Sequence, residues 1–138
     1  WSSDVCSSDL LAREVRAMRQ TMLEGHPNNS DGFDVKHDRG GMVDIEFIVQ
    51  YLVLAHAHRH EALTRNLGNI ALLRIAGELE LVDPGLAGRC GDAYREFRRL
   101  QHALRLHGAQ FARVPHASAD AHVAAVRELW VSVFSRLA

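Results

Sequence analysis

Cysteine is nearly missing from this chain of 138 residues: Cys6 and Cys90 are the only two. Two thiols cannot make a disulfide framework, which excludes the stapled secreted scaffold as a class. No run of 18 or more apolar residues occurs, so no segment reads as a membrane-spanning helix and no membrane is expected as a partner. The N-terminus lacks a basic stretch followed by an apolar one, the signature of secretion, and the expected location is cytoplasmic. A surplus of positive charge is also missing. Sixteen basic side chains face seventeen acidic ones, a formal net charge of -1, so the basic footprint of a nucleic-acid binder is absent and no nucleic acid is expected as a partner. Lysine is reduced to Lys36 alone. What is present is the composition of a globular domain, 47% hydrophobic and 24% charged, far from that of a disordered chain. The length suits one domain with a true core.

Residues 1–10, WSSDVCSSDL, contain a near-duplicate of Ser-Ser-Asp around Cys6 and no initiator Met; they read as an adapter or cloning artefact, set aside from the fold. From Leu11 onward, Leu11, Val15, Met18 and Met22 are spaced as one face of a helix over about 10–24, which Gly25 can end. His26 to Gly32 is a dense turn cluster, and Phe33 to Lys36 alternates as a short strand would. Gly40 and Gly41 introduce the most apolar stretch, Met42 to Ala57, expected as a buried central helix. Thr64 is the expected cap of a third helix with Leu67, Ile70, Leu73 and Leu79 inward and a loosening at Gly77. Asp83-Pro84 is a helix start, with Leu86, Cys90, Ala93, Phe97, Leu100 and Leu104 inward and Gly108 at the C-terminal cap. Ser118 is the expected cap of a last helix carrying Val123, Val126, Trp130, Val133, Phe134 and Leu137. The fold class is therefore all-α: a bundle of about five helices, with one short extended segment near residues 33–36.

Nine histidines raise the question of a metal. Of His56, His58 and His60, only His56 and His60, at i and i+4, share a helix face. Zinc needs further ligands, and no HExxH or paired-cysteine pattern supplies them, so a solvated helix end is the better reading. Cys90 falls on an apolar face and reads as a core thiol. Arg95, Arg98, Arg99 and Arg105, with His102 and His107, crowd one helix and read as a solvated face that could also meet phosphate or an acidic partner.

Residues 33–54 are the informative segment. Asp44 and Glu46 lie in a greasy run, where an uncompensated charge is costly, so both need partners. If the helix starts near Gly41, Asp44 occupies its first turn and Glu46 pairs with Gln50. If the stretch to Glu46 is extended, the two carboxylates point to one side and could bind a divalent cation.

The string FDVKxxxGGMVDIEFIVQYLVL, with Leu63-Thr64-Arg65, Asn69 and the Asp92-to-Leu100 helix, resembles the C-terminal end of the bacterial glutamine synthetase adenylyltransferase and deadenylylase family, over essentially all of Leu11 to Ala138. Asp44 in the motif is similar to the adenylylating half of that family. The resemblance implies residues 11–32 as helix and turn from the end of a nucleotidyltransferase core and residues 33–138 as the C-terminal helical bundle domain. It implies an enzyme that uses ATP and Mg2+ to attach AMP to a tyrosine of glutamine synthetase and removes it by phosphorolysis, with glutamine synthetase and the PII signal protein as partners. The family's paired aspartates, in a Gly-Ser-Asp-x-Asp type motif, do not occur here, so no metal site is expected in this stretch and it is expected to be inactive alone. Asp44 and Glu46 are the residues expected near the active site, and Lys36, Gly40 and Gly41 the candidates for nucleotide contact. A stand-alone helical interaction module is the rival reading.

Overall fold

Helix α1 (Val5–Glu24) opens the part of the chain, residues 5–134, described by a computed structural model. It starts about five residues earlier than expected, since neither Gly nor Pro interrupts it before Gly25. Its buried stripe is Ala12, Val15 and Arg19, whereas Met18 is 56% exposed. The face expected from the apolar spacing is thus rotated: Leu11 and Met22 are half-buried, and an arginine takes the inward place given to Met18. Acceptors waiting on the other side, described below, draw that arginine in.

The segment β1 (Phe33–Asp34) is extended as expected, but it has a partner the sequence did not announce, β2 (Arg113–Val114). They pair antiparallel, Phe33 opposite Val114 and Asp34 opposite Arg113. Two residues are too few to show a period of two. Helix α2 (Met42–His56) is the central helix, with Ile45, Ile48, Val49 and Leu52 all buried. A single 3₁₀ turn, Glu61–Thr64, follows.

Helix α3 (Asn69–Glu78) is not capped by Thr64. The Thr64 hydroxyl instead donates to Glu61 O at 2.6 Å within the 3₁₀ turn, and Gly68 stands in the cap position with no side chain to offer. Leu67, expected inward, precedes the helix and is 40% exposed. Gly77 does not loosen the helix. A Cβ there would sit 3.1 Å from Pro84 Cα, so its lack of side chain lets the next helix start against it.

Helix α4 (Pro84–Leu106) begins as expected: Asp83 Oδ2 accepts from Leu86 N at 2.9 Å, with proline at the first turn. It ends as expected at Gly108, whose φ is +81°. There Gly108 N donates to Arg105 O and Ala109 N to Leu104 O, both at 3.0 Å, the paired bonds of a Schellman cap. Helix α5 (Asp120–Phe134) follows a 3₁₀ turn, His116–Ser118; Ser118 is exposed within that turn and does not cap α5. Leu137 lies outside the described residues.

Among the described residues the architecture is five α-helices with one two-stranded ribbon. Helix α4 packs between α3 and α5, and α2 touches all the other helices. The core runs from Val15 of α1 through Ile45 and Ile48 to Leu73, Phe97 and Leu129. Phe97 is wholly buried, with its ring 5.9 Å from both Phe33 and His122. No helix is long and apolar enough to cross a membrane among the described residues.

Candidate functional site

The diglycine and the start of α2 form one hydrogen-bonded knot. Gly40 has φ of +89°, the left-handed region that favours glycine. A Cβ on it would lie 2.6 Å from Val123 Cγ1 of α5, and one on Gly41 would lie 2.6 Å from Val35 O. Both glycines are therefore needed for close packing. Their N–H groups and the first two of α2 are in use: Gly40 N donates to Asp44 Oδ2 at 2.7 Å and Gly41 N to Asp38 O at 2.9 Å. Met42 N donates to Val35 O at 2.8 Å and Val43 N to Lys36 O at 3.0 Å. The backbone thus caps α2 from within, and these four donors are not available to a phosphate at the same time.

Asp44 is 1% exposed, and its surroundings explain how a carboxylate lives there. Arg19 Nε, itself wholly buried, donates to Asp44 Oδ1. Arg39 adds a second guanidinium at 3.8 Å. Arg19 also donates through Nη2 to His37 O at 2.6 Å, while its Nη1 has no partner. Both Asp44 oxygens are occupied by nitrogen donors, one ionic and one backbone, which is what a buried charge requires. Arg39 in turn stacks over Trp130 of α5, 5.4 Å from the ring centroid. Burial pulls the Arg39 guanidinium below its usual value; Asp44 opposes that shift, and neighbouring Arg19 and Arg127 add to it.

Glu46 goes elsewhere. Two positions further along a helix it faces away from Asp44, and it accepts from Tyr94 OH of α4 at 2.8 Å rather than pairing with Gln50, which is exposed. Asn69 Nδ2, at the start of α3, donates to the same phenol oxygen at 3.1 Å. Burial first, then the bond to Glu46, raises the Tyr94 phenol above its ordinary value. One carboxylate thus ties α2 to α1, and the other ties α2 to α3 and α4. The extended geometry that would have set them side by side over a cation is not adopted: α2 is already helical at Met42. With Asp44 saturated and Glu46 turned to a phenol, the pair does not fit a divalent metal.

The model of the family described as GlnD PII-uridylyltransferase matches residues 11–127. The chain belongs to that family. Curated relatives are named bifunctional glutamine synthetase adenylyltransferase/adenylyl-removing enzyme. The one from Bordetella bronchiseptica is 58% identical over 123 residues, 89% of this chain and 13% of the relative. Those from Aromatoleum aromaticum and Ralstonia nicotianae are each 57% identical, over 90% and 92% of this chain and again 13% of each relative. The chain spans about one eighth of the length of these relatives.

In this member of the GlnD family the other candidate residues separate. The helix carrying His56 stops there, so His60 lies beyond it, its N–H donating to His56 O at 3.2 Å; the expected i, i+4 pair on one helical face is not formed. Among the described residues no three His, Cys, Asp or Glu side chains gather as a metal cage. Cys90 is wholly buried as expected, its Sγ 3.4 Å from Ala125 O, and burial pushes the thiol up to about 12. Arg95 pairs with Asp92 at 3.2 Å, and Arg99 binds Glu96 and holds that carboxyl below its usual value; Arg98 lies over the Tyr94 ring.

Lys36, whose carbonyl belongs to the knot, also lines a cleft of about 470 Å³ between the end of α1, the β ribbon and the end of α4, which neither Gly40 nor Gly41 lines. Sequence reasoning missed Arg19 and Tyr94, the partners of the two motif carboxylates. The only signal for them was the demand that Asp44 and Glu46 be compensated.

Proposed function

We propose that this chain is the C-terminal helical part of a bifunctional glutamine synthetase adenylyltransferase and adenylyl-removing enzyme. Residues 11–32 would lead out of a nucleotidyltransferase core, and residues 33–138 would form the helical domain behind it. The single observation that supports this most is the 57–58% identity to relatives of that name across about nine tenths of the chain. The whole enzyme transfers AMP from ATP to a tyrosine hydroxyl of glutamine synthetase with release of pyrophosphate, and removes it with phosphate. Carboxylates of the core would hold Mg2+, which would supply charge neutralisation for the phosphate oxygens. Glutamine synthetase and the PII signal protein are the partners, and the cytoplasm is the location.

The residues in hand contribute rigidity to that chemistry. Asp44 and Glu46 do not fit the metal, so no step is assigned to them. They clamp α2 against α1, the helix that would lead out of the core, and against α3 and α4. Such positioning affects transfer through the geometry of the attacking hydroxyl.

A chimera tests the proposal. Residues 11–134 replace the matching segment of the Bordetella bronchiseptica enzyme, and incorporation of labelled AMP into glutamine synthetase is measured. Adenylylation by the chimera, together with none by the 138-residue chain alone, is the expected result. A stably folded chimera without activity, or incorporation by the isolated chain, overturns it.

A further inference from the structure

Helices α1 and α5 both lean on α2, and a groove of about 390 Å³ is left between them. Arg13, Arg16, Ala17 and Gln20 of α1 form one wall, and Arg39, just before α2, and Trp130 of α5 form the rest. Arg13, Arg16 and Gln20 stand at i, i+3 and i+7, so they follow one another along one face of the helix over about 10 Å. Arg127 of α5 is close by, since a Cβ on Gly40, next to Arg39, would lie 3.3 Å from its Cγ. Four guanidinium groups thus gather where the lining holds no carboxylate. Among the described residues, Arg13, Arg16 and Arg127 have no carboxylate within 4.0 Å, not even Asp9, one turn before Arg13. Arg39 reaches Asp44 only at 3.8 Å, and that carboxylate is already held by the buried Arg19. In a chain of net charge -1, such a cluster is a local departure from the average.

The floor of the groove is set in place. Arg39 Nη2 donates to Gln20 Oε1 at 2.7 Å while its guanidinium lies over the half-buried Trp130, and the Phe134 ring backs that indole at 4.4 Å. Arg13 and Arg16 make no such bonds among the described residues and can turn to a partner. Arginines around a tryptophan are the composition of the energetic centre of a reversible protein interface, whereas a permanent one is more apolar. A line of cations along a helix matches carboxylates spaced by a turn on another helix better than one small anion, and a trough between two helices is a shape that a third helix fills.

We infer that this groove is a docking site for an acidic helix of a separate partner protein, whose carboxylates, one turn apart, pair with Arg13 and Arg16 while an apolar side chain beside them meets Trp130. The inference does not rest on the catalytic reading above, because binding and labelling are measured without turnover.

NMR titration of the 138-residue chain with a stapled helical peptide tests it, following the Trp130 indole N–H. The peptide carries glutamates at i, i+3 and i+7 with leucine beside them; a control of the same composition scatters its glutamates round the helix. Saturable binding at Trp130 is expected, about tenfold or more tighter for the patterned peptide, weakening with added salt, and lowered about tenfold or more by Arg13→Gln with Arg16→Gln. Arg74→Gln, on α3, should leave the affinity unchanged. No saturable shift, equal affinities for the two peptides, or equal affinity in the double variant overturns the docking site, and so does displacement of the peptide by an equal concentration of inorganic phosphate. Glutamine keeps a helix nearly as well as arginine, and circular dichroism checks that the double variant folds. Should it not, alkylation of Arg13→Cys, read by peptide mapping, decides: saturating patterned peptide must slow it and the control must not, and equal rates overturn the site. In the chimera with the Bordetella bronchiseptica enzyme the same cysteine should react as fast as in the isolated chain. Protection there means that the rest of the enzyme's own chain fills the groove, which overturns a separate partner.

Discussion

Arg19 of α1 donates its Nε hydrogen to Asp44 of α2, and both side chains are sealed from water. Removing either one takes from the other its closest charged partner. Arg19→Leu should cost about 3–5 kcal/mol, the loss typical of a broken buried ion pair. Arg19→Met combined with Asp44→Asn should be milder than Arg19→Leu alone, since no fully buried charge is then left uncompensated. Urea denaturation of the three proteins provides the comparison; a single-variant loss below about 1 kcal/mol would contradict the compensation argument.

Gly40 carries two constraints at once, a left-handed backbone and Val123 against its open side. Gly40→Ala should destabilise by about 2–4 kcal/mol, from backbone strain plus overpacking. Trimming the neighbour with Val123→Ala should recover the packing part only. A double-mutant cycle by thermal melting separates the two, and full recovery would mean that backbone strain is negligible.

Tyr94 should be worth about 1–2 kcal/mol through its phenol alone, because Tyr94→Phe leaves Glu46 and Asn69 without their shared partner. Its phenol titrates above the ordinary 10.0 when folded. The linked stability is therefore complete below pH 10 and disappears as pH rises through the higher folded value. Ultraviolet titration of the chain and of Tyr94→Phe gives the difference spectrum for this one residue. Ionisation at or below the ordinary value would disprove the buried phenol-to-carboxylate bond.

His37 behaves in the opposite sense. Burial, helped by nearby His26, lowers its imidazole below the usual 6.5, so the unfolded chain takes up the proton first. Its contribution to stability is whole above pH 6.5 and is lost as pH falls toward the folded value. Melting temperature measured from pH 8 to pH 5 should fall less steeply for His37→Gln than for the unaltered chain. Parallel curves would remove His37 as a source of acid sensitivity.

The long helices were legible where one local signal sufficed. The apolar run from Met42 marked α2, Asp83-Pro84 marked the start of α4, and Gly108 its end. What escaped was set by residues distant in the chain. Apolar spacing placed Met18 inward, but the acceptors Asp44 and His37 O outweighed it and turned Arg19 in. Thr64 and Ser118 look like caps in isolation, yet each sits in a 3₁₀ turn whose geometry comes from its surroundings. The knot around the diglycine could be suspected from two carboxylates in a greasy run, but not its second carboxylate's reach to Tyr94, 48 residues away.

The small ribbon joins positions about eighty residues apart, Phe33 with Val114 and Asp34 with Arg113, and Val35 N adds a bond to Ala112 O at 2.9 Å. Helices α2, α3 and α4 therefore lie inside a closed ring of chain fastened at one clasp. Helical turns join residues only four apart, while a ring of this size must bring distant ends together at a cost in chain entropy. Among the described residues the clasp is thus the backbone pairing with the greatest loop-closure cost. Until it closes, Phe33 cannot lie against Phe97, and the cleft beside Lys36 lacks the wall that Arg113 supplies.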